Sequence, residues 1–287
     1  VPVTVLPLTS STRNRKGPSP PSALVCFMFN PRLFGCNFPH SGGSCHEKDN
    51  SGPFASPWPL SRGRRATRFV TADNDVLRII VLTFPDQKYP AIGAYTDDYF
   101  AQYAISAGSV DRALLGQAAT VLAAAYKGGA TVYCCGNGGS AAISNHLVCD
   151  HQKGIQADTA LLPRVNSLSA NIEIITAIAN DISYDDVFVY QLRSMAQAGD
   201  VLITVSSSGD SENVVRAAQW ARDNGVDVIA MTGFDGGRSA KIATINLHVS
   251  GDNYGVVEDV HQSLMHILAQ YLRMDEMAVD LIRDRKF

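Results

Sequence analysis

Long apolar runs are missing from this chain of 287 residues. Nowhere does it approach the roughly 20 consecutive apolar residues that a membrane-spanning helix needs, which predicts a soluble protein with no membrane partner. Cysteine is sparse and unpatterned. The six positions, Cys26, Cys36, Cys45, Cys134, Cys135 and Cys149, include no CxxC pair. A zinc ribbon on Cys36, His40, Cys45 and His46 would have the wrong spacing. Cys134 and Cys135 are neighbours at the end of an apolar run, a poor geometry for bridging each other, so they read as reduced packing residues of a cytoplasmic protein. Nucleotide loops are missing too. There is no GxxxxGK[ST], whose lysine reaches terminal phosphates, and no full GxGxxG with an acid about 20 positions on, so no nucleotide cofactor is expected.

Acidic side chains are nearly absent from the first quarter. Residues 1–72 carry nine Lys and Arg against Glu47 and Asp49, a net of +7, which leaves −10 for the other 215 residues to reach the chain's −3. An acidic globular part excludes general nucleic-acid binding, which relies on basic surface to neutralise phosphates. Its partner should be small. The leader is rich in Ser, Pro, Gly and Arg, as in Pro18-Ser19-Pro20-Pro21 and Ser61-Arg62-Gly63-Arg64-Arg65, with no sustained apolar period. Such a segment cannot bury enough surface to offset its ordering entropy, so residues 1–90 are expected to be a disordered or non-native extension. An organelle transit peptide has a similar composition. The working domain is expected over 91–287.

From Tyr95 onward the pattern becomes regular and alternates in kind. Helices are predicted over 96–106 and 110–126, the second with a buried stripe at Leu114, Leu115, Ala118, Ala119, Leu122, Ala125 and Tyr126. Strands at 130–135, 164–168, 200–205, 226–231 and 244–249 then alternate with helices at 139–150, 171–179, 184–197, 211–224, 236–242 and 256–273. Strand–helix alternation implies right-handed crossovers, hence an α/β fold: a doubly wound parallel sheet sandwiched by helices, preceded by a helical pair.

Two of the predicted strand ends share one grammar. Cys135-Gly136-Asn137-Gly138-Gly139-Ser140 and Ser206-Ser207-Ser208-Gly209-Asp210-Ser211 each read as strand, glycine- and hydroxyl-rich turn, then helix. Glycine lets the backbone approach an anion, and the free N–H groups at the helix start point at it. Serine adds donors without charge. The pair predicts a site for a phosphorylated small molecule, at the carboxyl ends of the strands where such sheets bind ligands.

These residues resemble the sugar-isomerase (SIS) domain family. Gly136-Asn137-Gly138-Gly139-Ser140, His146, Asn180-Asp181, Ser206–Ser211, Met231-Thr232-Gly233 and Glu258 with His266 carry the likeness, over about Tyr99 to Leu272. Within that superfamily they are most similar to phosphoheptose isomerases, which interconvert sedoheptulose 7-phosphate and a heptose 7-phosphate. The resemblance implies phosphate binding by Ser140, Ser206, Ser208 and Ser211, with Asn137, Gly138, Asp181, Ser207 and Glu258 also at the substrate. It implies Asp150, in place of the family's glutamate, as base at the carbon, and His266 as carrier of the hydroxyl proton. It also implies a possible zinc ion on His146, Asp150, Glu258 and His266. A family aspartate is here Gly255, which removes one expected sugar contact. Family members usually form tetramers with pockets between subunits, and the helices at 96–126 suit such an interface.

The implied chemistry is an aldose–ketose isomerisation through an enediol, which needs a base over the C–H bond and an acid/base near the oxygens. The expected role is heptose supply for a bacterial surface polysaccharide. The alternative is a non-catalytic member of the superfamily that senses a sugar phosphate or binds a replication-initiator partner; such proteins keep the serines and lose the acid/base groups. His151 and His248 are expected to be structural, and Met265 and Tyr271 to lie in the core.

Overall fold

A computed structural model describes residues 83–287, so the expectations for residues 1–82 lie outside the described residues. Two helices open the domain, α1 (Ile92–Gly108) and α2 (Arg112–Gly128). The second starts where the Asp111 carboxylate accepts from the Ala113 and Leu114 amides, and it stops at Gly129, whose φ of 74° suits glycine. Then follow β1 (Thr131–Gly136), α3 (Gly139–Cys149), β2 (Arg164–Ser167), α4 (Ile172–Asp181), α5 (Val189–Met195) and β3 (Val201–Ser206). The chain closes with α6 (Glu212–Asp223), β4 (Asp227–Thr232), α7 (Gly237–Ile242), β5 (Ile245–His248) and α8 (Tyr254–Glu276).

Among the described residues the strands form one five-stranded parallel sheet in the order β2-β1-β3-β4-β5. Its central strands β1, β3 and β4 are almost wholly buried, β3 throughout, because helices cover both sides, whereas β2 at the edge exposes Arg164 and Asn166. Leu122, Leu147, Leu264, Met265 and Leu268 of α2, α3 and α8 pack one face. Ile178, Leu192, Val214 and Ala218 of α4, α5 and α6 pack the other. The order reverses direction at β1, which has β2 on one side and β3 on the other. That switch point opens a crevice beyond the carboxyl ends of β1 and β3, where the register sets Gly136 beside Val205.

The differences from the sequence expectation are local. The helix expected over 139–150 leaves α-helical geometry at Cys149 and continues as a π-helical turn, Asp150–Ile155. The helix expected over 184–197 is a short 3-10 turn, Tyr184–Asp186, followed by α5. The last helix begins two residues early because the Asn253 side chain caps it, accepting from the Val256 amide. Met265 is buried as expected, but Tyr271 is exposed, pointing away from the sheet. Phe84 is buried against Tyr95 and Tyr99, and its carbonyl accepts from Asn253 Nδ2 at 2.8 Å. Packing therefore reaches back ahead of the boundary expected at 91.

Candidate active site

The two glycine-rich turns lie side by side at the switch point. In the first, Gly138 takes φ 55° and ψ −121°, a conformation that only glycine adopts freely, and this lets α3 start at once. Ser140 lies in the first turn of that helix. In the second, the Gly209 amide bonds both the carbonyl and the Oγ of Ser206, while the Ser208 Oγ accepts from the Asp210 amide. Gly209 has φ 64°, and a Cβ there would collide with the Gly236 carbonyl. Ser211 stands at the N-cap of α6 without a side-chain cap bond, so its hydroxyl is not consumed by the helix. Ser207 differs from these in that its hydroxyl is buried and has no hydrogen-bond partner among the described residues.

Side chains tie the two turns together. Asn137 and Asn213 exchange amide hydrogen bonds at 2.9 and 3.0 Å, and the Tyr184 hydroxyl donates to Asn137 Oδ1 at 2.9 Å. Arg238 of α7 clamps the second turn from outside, donating to the Asp210 carboxylate at 2.5 Å, to its carbonyl at 3.0 Å and to Glu212 at 2.8 Å. It holds the Asp210 carboxyl below its ordinary range, and Arg216, then Arg238, does the same for Glu212. Asp181, at the end of α4, is exposed and accepts only from its neighbour Asn180 among the described residues. None of Asn213, Tyr184 and Arg238 was expected from sequence. Nothing in their immediate neighbours marks them; the sheet topology brings them to the turns.

Glu258 of α8 faces the start of α3. A Cβ on Gly139 would collide with its carboxylate, so the glycine makes room for the acid. Burial, then the neighbouring Asp259, raises the Glu258 carboxyl above its ordinary range.

Further along the same helix pair lies a second cluster. His146 and Asp150 share a face of α3 and its π-helical continuation, four residues apart, and His266 reaches them from α8. Asp150 Oδ2 lies 2.6 Å from His266 Nδ1, and Oδ1 lies 3.3 Å from His146 Nε2. The imidazoles meet edge to face at 5.0 Å. Gln262, one turn before His266, places Nε2 3.0 Å from both His146 Nδ1 and His266 Nε2. The sequence reading missed Gln262, although its i, i+4 spacing to His266 is a usable signal.

The ligand atoms of His146, Asp150 and His266 lie within 4.8 Å of one another, a set of two imidazoles and a carboxylate that fits a three-ligand zinc site with one open position. Glu258, expected as a fourth ligand, is not in that group. Its carboxylate is held at Gly139, near the other end of α3. His151 is buried against the Tyr126 hydroxyl and His248 bonds Thr232, as structural residues do. The fully buried His261 points Nε2 at the Thr232 carbonyl. Burial lowers the pKa of both His151 and His261 to about 4.

Known proteins share this fold and sequence. Residues 99–233 match the SIS domain family. A phosphoheptose isomerase of Mycobacterium tuberculosis is 39% identical over 165 residues, covering 56% of this chain and 84% of that one. The chain belongs to the phosphoheptose isomerase family. The Rhodospirillum rubrum phosphoheptose isomerase is 35% identical over 154 residues, 54% of this chain and 81% of that one. Among solved structures, the phosphoheptose isomerase of Neisseria gonorrhoeae superposes with a TM-score of 0.58 at 29% identity, covering 63% of this chain and 98% of that one. That of Francisella tularensis gives 0.59 at 27%, covering 64% and 96%. This chain is thus an isomerase of that family, with a parallel-sheet fold shared across nearly the whole length of those structures. No helix among its described residues is long and apolar enough to cross a membrane.

Proposed function

We propose that this isomerase interconverts sedoheptulose 7-phosphate and a heptose 7-phosphate, with Asp150 and His266 as its acid–base pair. The observation that carries the reading is their 2.6 Å contact, made between residues 116 apart in sequence. The phosphate would sit on the amides and hydroxyls of the β1 and β3 turns, chiefly Ser140, Ser206, Ser208 and Ser211, with Glu258 and Asn137 beside the sugar. Asp150 would take the proton from the carbon next to the carbonyl, giving an enediol, and return it to the adjacent carbon. His266 would carry the hydroxyl proton in the opposite sense, so the two transfers balance. If zinc binds, His146, Asp150 and His266 would hold it, and its charge would polarise the carbonyl oxygen.

The dimensions favour a site shared between protomers. From Ser140 to Asp150 is roughly 15 Å along the helix axis, at about 1.5 Å per residue. The extended chain from phosphorus to C2 of a heptose 7-phosphate spans roughly 8 Å, judged from the reach of a peptide backbone. One sugar cannot bridge the turns and the acid–base cluster of a single chain. The cluster serving each phosphate turn would come from a neighbouring copy in a homo-oligomer, read here as a tetramer. Exposed Phe100 and Ile105 of α1 and Ile267 and Tyr271 of α8 supply apolar surface for that contact. The setting of the reaction would be the cytoplasm, supplying heptose to a surface polysaccharide.

The test is incubation with a panel of five- to seven-carbon sugar phosphates in deuterated water, followed by NMR. Deuterium at C1 or C2 and interconversion, greatest with the seven-carbon substrate, is the expected result. Binding without exchange, with or without zinc, would replace the isomerase reading with that of a sugar-phosphate sensor or assembly protein.

A further inference from the structure

The acid–base cluster contains one group that titrates at no accessible pH and still touches both histidines. The Gln262 Nε2 stands 3.0 Å from His146 Nδ1 and 3.0 Å from His266 Nε2. An amide NH2 has two hydrogens and no acceptor, so two ring nitrogens facing it must each offer a lone pair. A neutral imidazole carries its proton on the other nitrogen. On His266 that is Nδ1, 2.6 Å from Asp150 Oδ2; on His146 it is Nε2, 3.3 Å from Oδ1. The four side chains thus close a ring in which Gln262 gives two hydrogen bonds, each histidine takes one and gives one, and Asp150 takes two. Every donor has an acceptor.

We propose that Gln262 is a positioning residue of this cluster: it holds both imidazoles in the tautomers that donate to Asp150, and it occupies the ring lone pairs that those tautomers leave free. Two consequences follow from the unequal contacts. His266 sits close enough to Asp150 that the carboxylate alone maintains its tautomer, whereas His146, with the longer contact, depends on the amide. A metal ion held through those lone pairs must displace Gln262, and one held through the nitrogens that face Asp150 must move the ring protons onto nitrogens that face an amide NH2, which cannot accept them; by either route the amide biases the cluster toward its proton-transfer form. The inference rests on the reading of His266 as proton carrier only where a substrate hydroxyl takes the place of the amide. The test needs no turnover, so its failure and the failure of the isomerase reading are separable.

The experiment is nitrogen-15 NMR of the histidine rings in the full chain, with signals assigned by loss in His146→Ala and His266→Ala, alongside calorimetric titration with zinc. In the unaltered protein His266 should be protonated on Nδ1 and His146 on Nε2. In Gln262→Leu, His146 should become a mixture of tautomers while His266 keeps its own. Zinc should bind more tightly by on the order of ten-fold, since two hydrogen bonds no longer compete for the ring nitrogens. Gln262→Met, unbranched and of similar length, repeats the test if leucine disturbs the fold. Protonation of His266 on Nε2 in the unaltered protein overturns the proposal, as does an unchanged His146 tautomer in both variants. Zinc affinity that stays equal or weakens in both overturns the exclusion of metal.

Discussion

The phosphate turns and the acid–base cluster are built by opposite means. The turns contribute neutral donors, fixed by backbone geometry and by residues close in sequence. Serine, glycine and two helix starts would do the binding, and the carboxylates of the second turn, Asp210 and Glu212, are paired with Arg238 and Arg216. The cluster is centred on titratable side chains whose mutual distances depend on how α3 and its continuation pack against α8, so its two halves are separated by more than 100 residues. On the proposed reading, the difference makes affinity and chemistry separable: one would reside in turns at the carboxyl ends of the strands, the other in a helix–helix contact roughly 15 Å away.

The sharpest separation should come from the cluster. Asp150→Asn removes the carboxylate that accepts from both histidines, and His266→Ala removes its partner; each should lower turnover by on the order of 10²–10⁴-fold. Calorimetry with the sugar phosphate should give nearly unaltered affinity. Lost affinity with retained exchange in deuterated water would reverse the assignment of the two regions.

Ser208→Ala should do the converse, weakening binding by about 1.5–3 kcal/mol through loss of a hydrogen bond to a charged phosphate, with turnover at saturation little changed. A calorimetric titration indistinguishable from the unaltered protein would take Ser208 out of the site. Gly209→Ala attacks the same turn through its backbone, since a side chain there meets the Gly236 carbonyl at a φ of 64°. A cost of about 1–3 kcal/mol is expected, seen as a melting point several degrees lower. An unchanged melting point would mean that the turn yields where it is expected to be rigid.

Acid should weaken the fold beneath the turns. His261 is neutral in the folded state, with its pKa lowered to about 4 by burial, whereas the unfolded chain takes up a proton near pH 6.5. Between those values the unfolded state binds more protons, so the stability from this group is complete above about pH 6.5 and falls as the pH drops toward 4. This group should account for a loss of about 2 kcal/mol at pH 5, and His151, whose pKa burial also lowers to about 4, for a similar one, read together from urea midpoints at pH 7 and 5. His261→Gln should flatten that part of the dependence; an equally steep one would assign the effect elsewhere. The smallest change is expected for Arg238→Ala. Its exposed ion pairs should contribute at most about 1 kcal/mol to stability. Sugar-phosphate affinity should still fall in a salt-dependent way, because Asp210 would then face the phosphate unneutralised, while Glu212 keeps Arg216. A salt-independent loss would argue for a purely mechanical role of the clamp.

The same contrast governed what could be read from the sequence. Both turns were legible because strand, glycine and helix start are contiguous, and α2 was legible because its apolar stripe recurs at helical spacing. The pairing of Asp150 with His266 came through family resemblance; no local pattern relates residues on different helices. The π-helical turn after Cys149 left no mark, since Asp150–Ile155 contains no residue that demands a wider helix. Gln262 escaped notice because a polar residue on an amphipathic helix looks like a solvated one until its neighbours across the helix pair are known. Phe84 was assigned to the leader by the composition around it, although an aromatic residue near Tyr89, Tyr95 and Tyr99 has every reason to pack.

The helix-length gap between turns and cluster has a consequence for inheritance. If each site takes its turns from one copy and its cluster from another, as proposed, two alleles that each destroy one half are not equivalent to two copies of either. Chains with Asp150→Asn still offer intact turns, and chains defective in the turns still offer an intact cluster. Mixed oligomers would contain some whole sites, and a cell carrying both alleles would recover activity that neither allele provides alone.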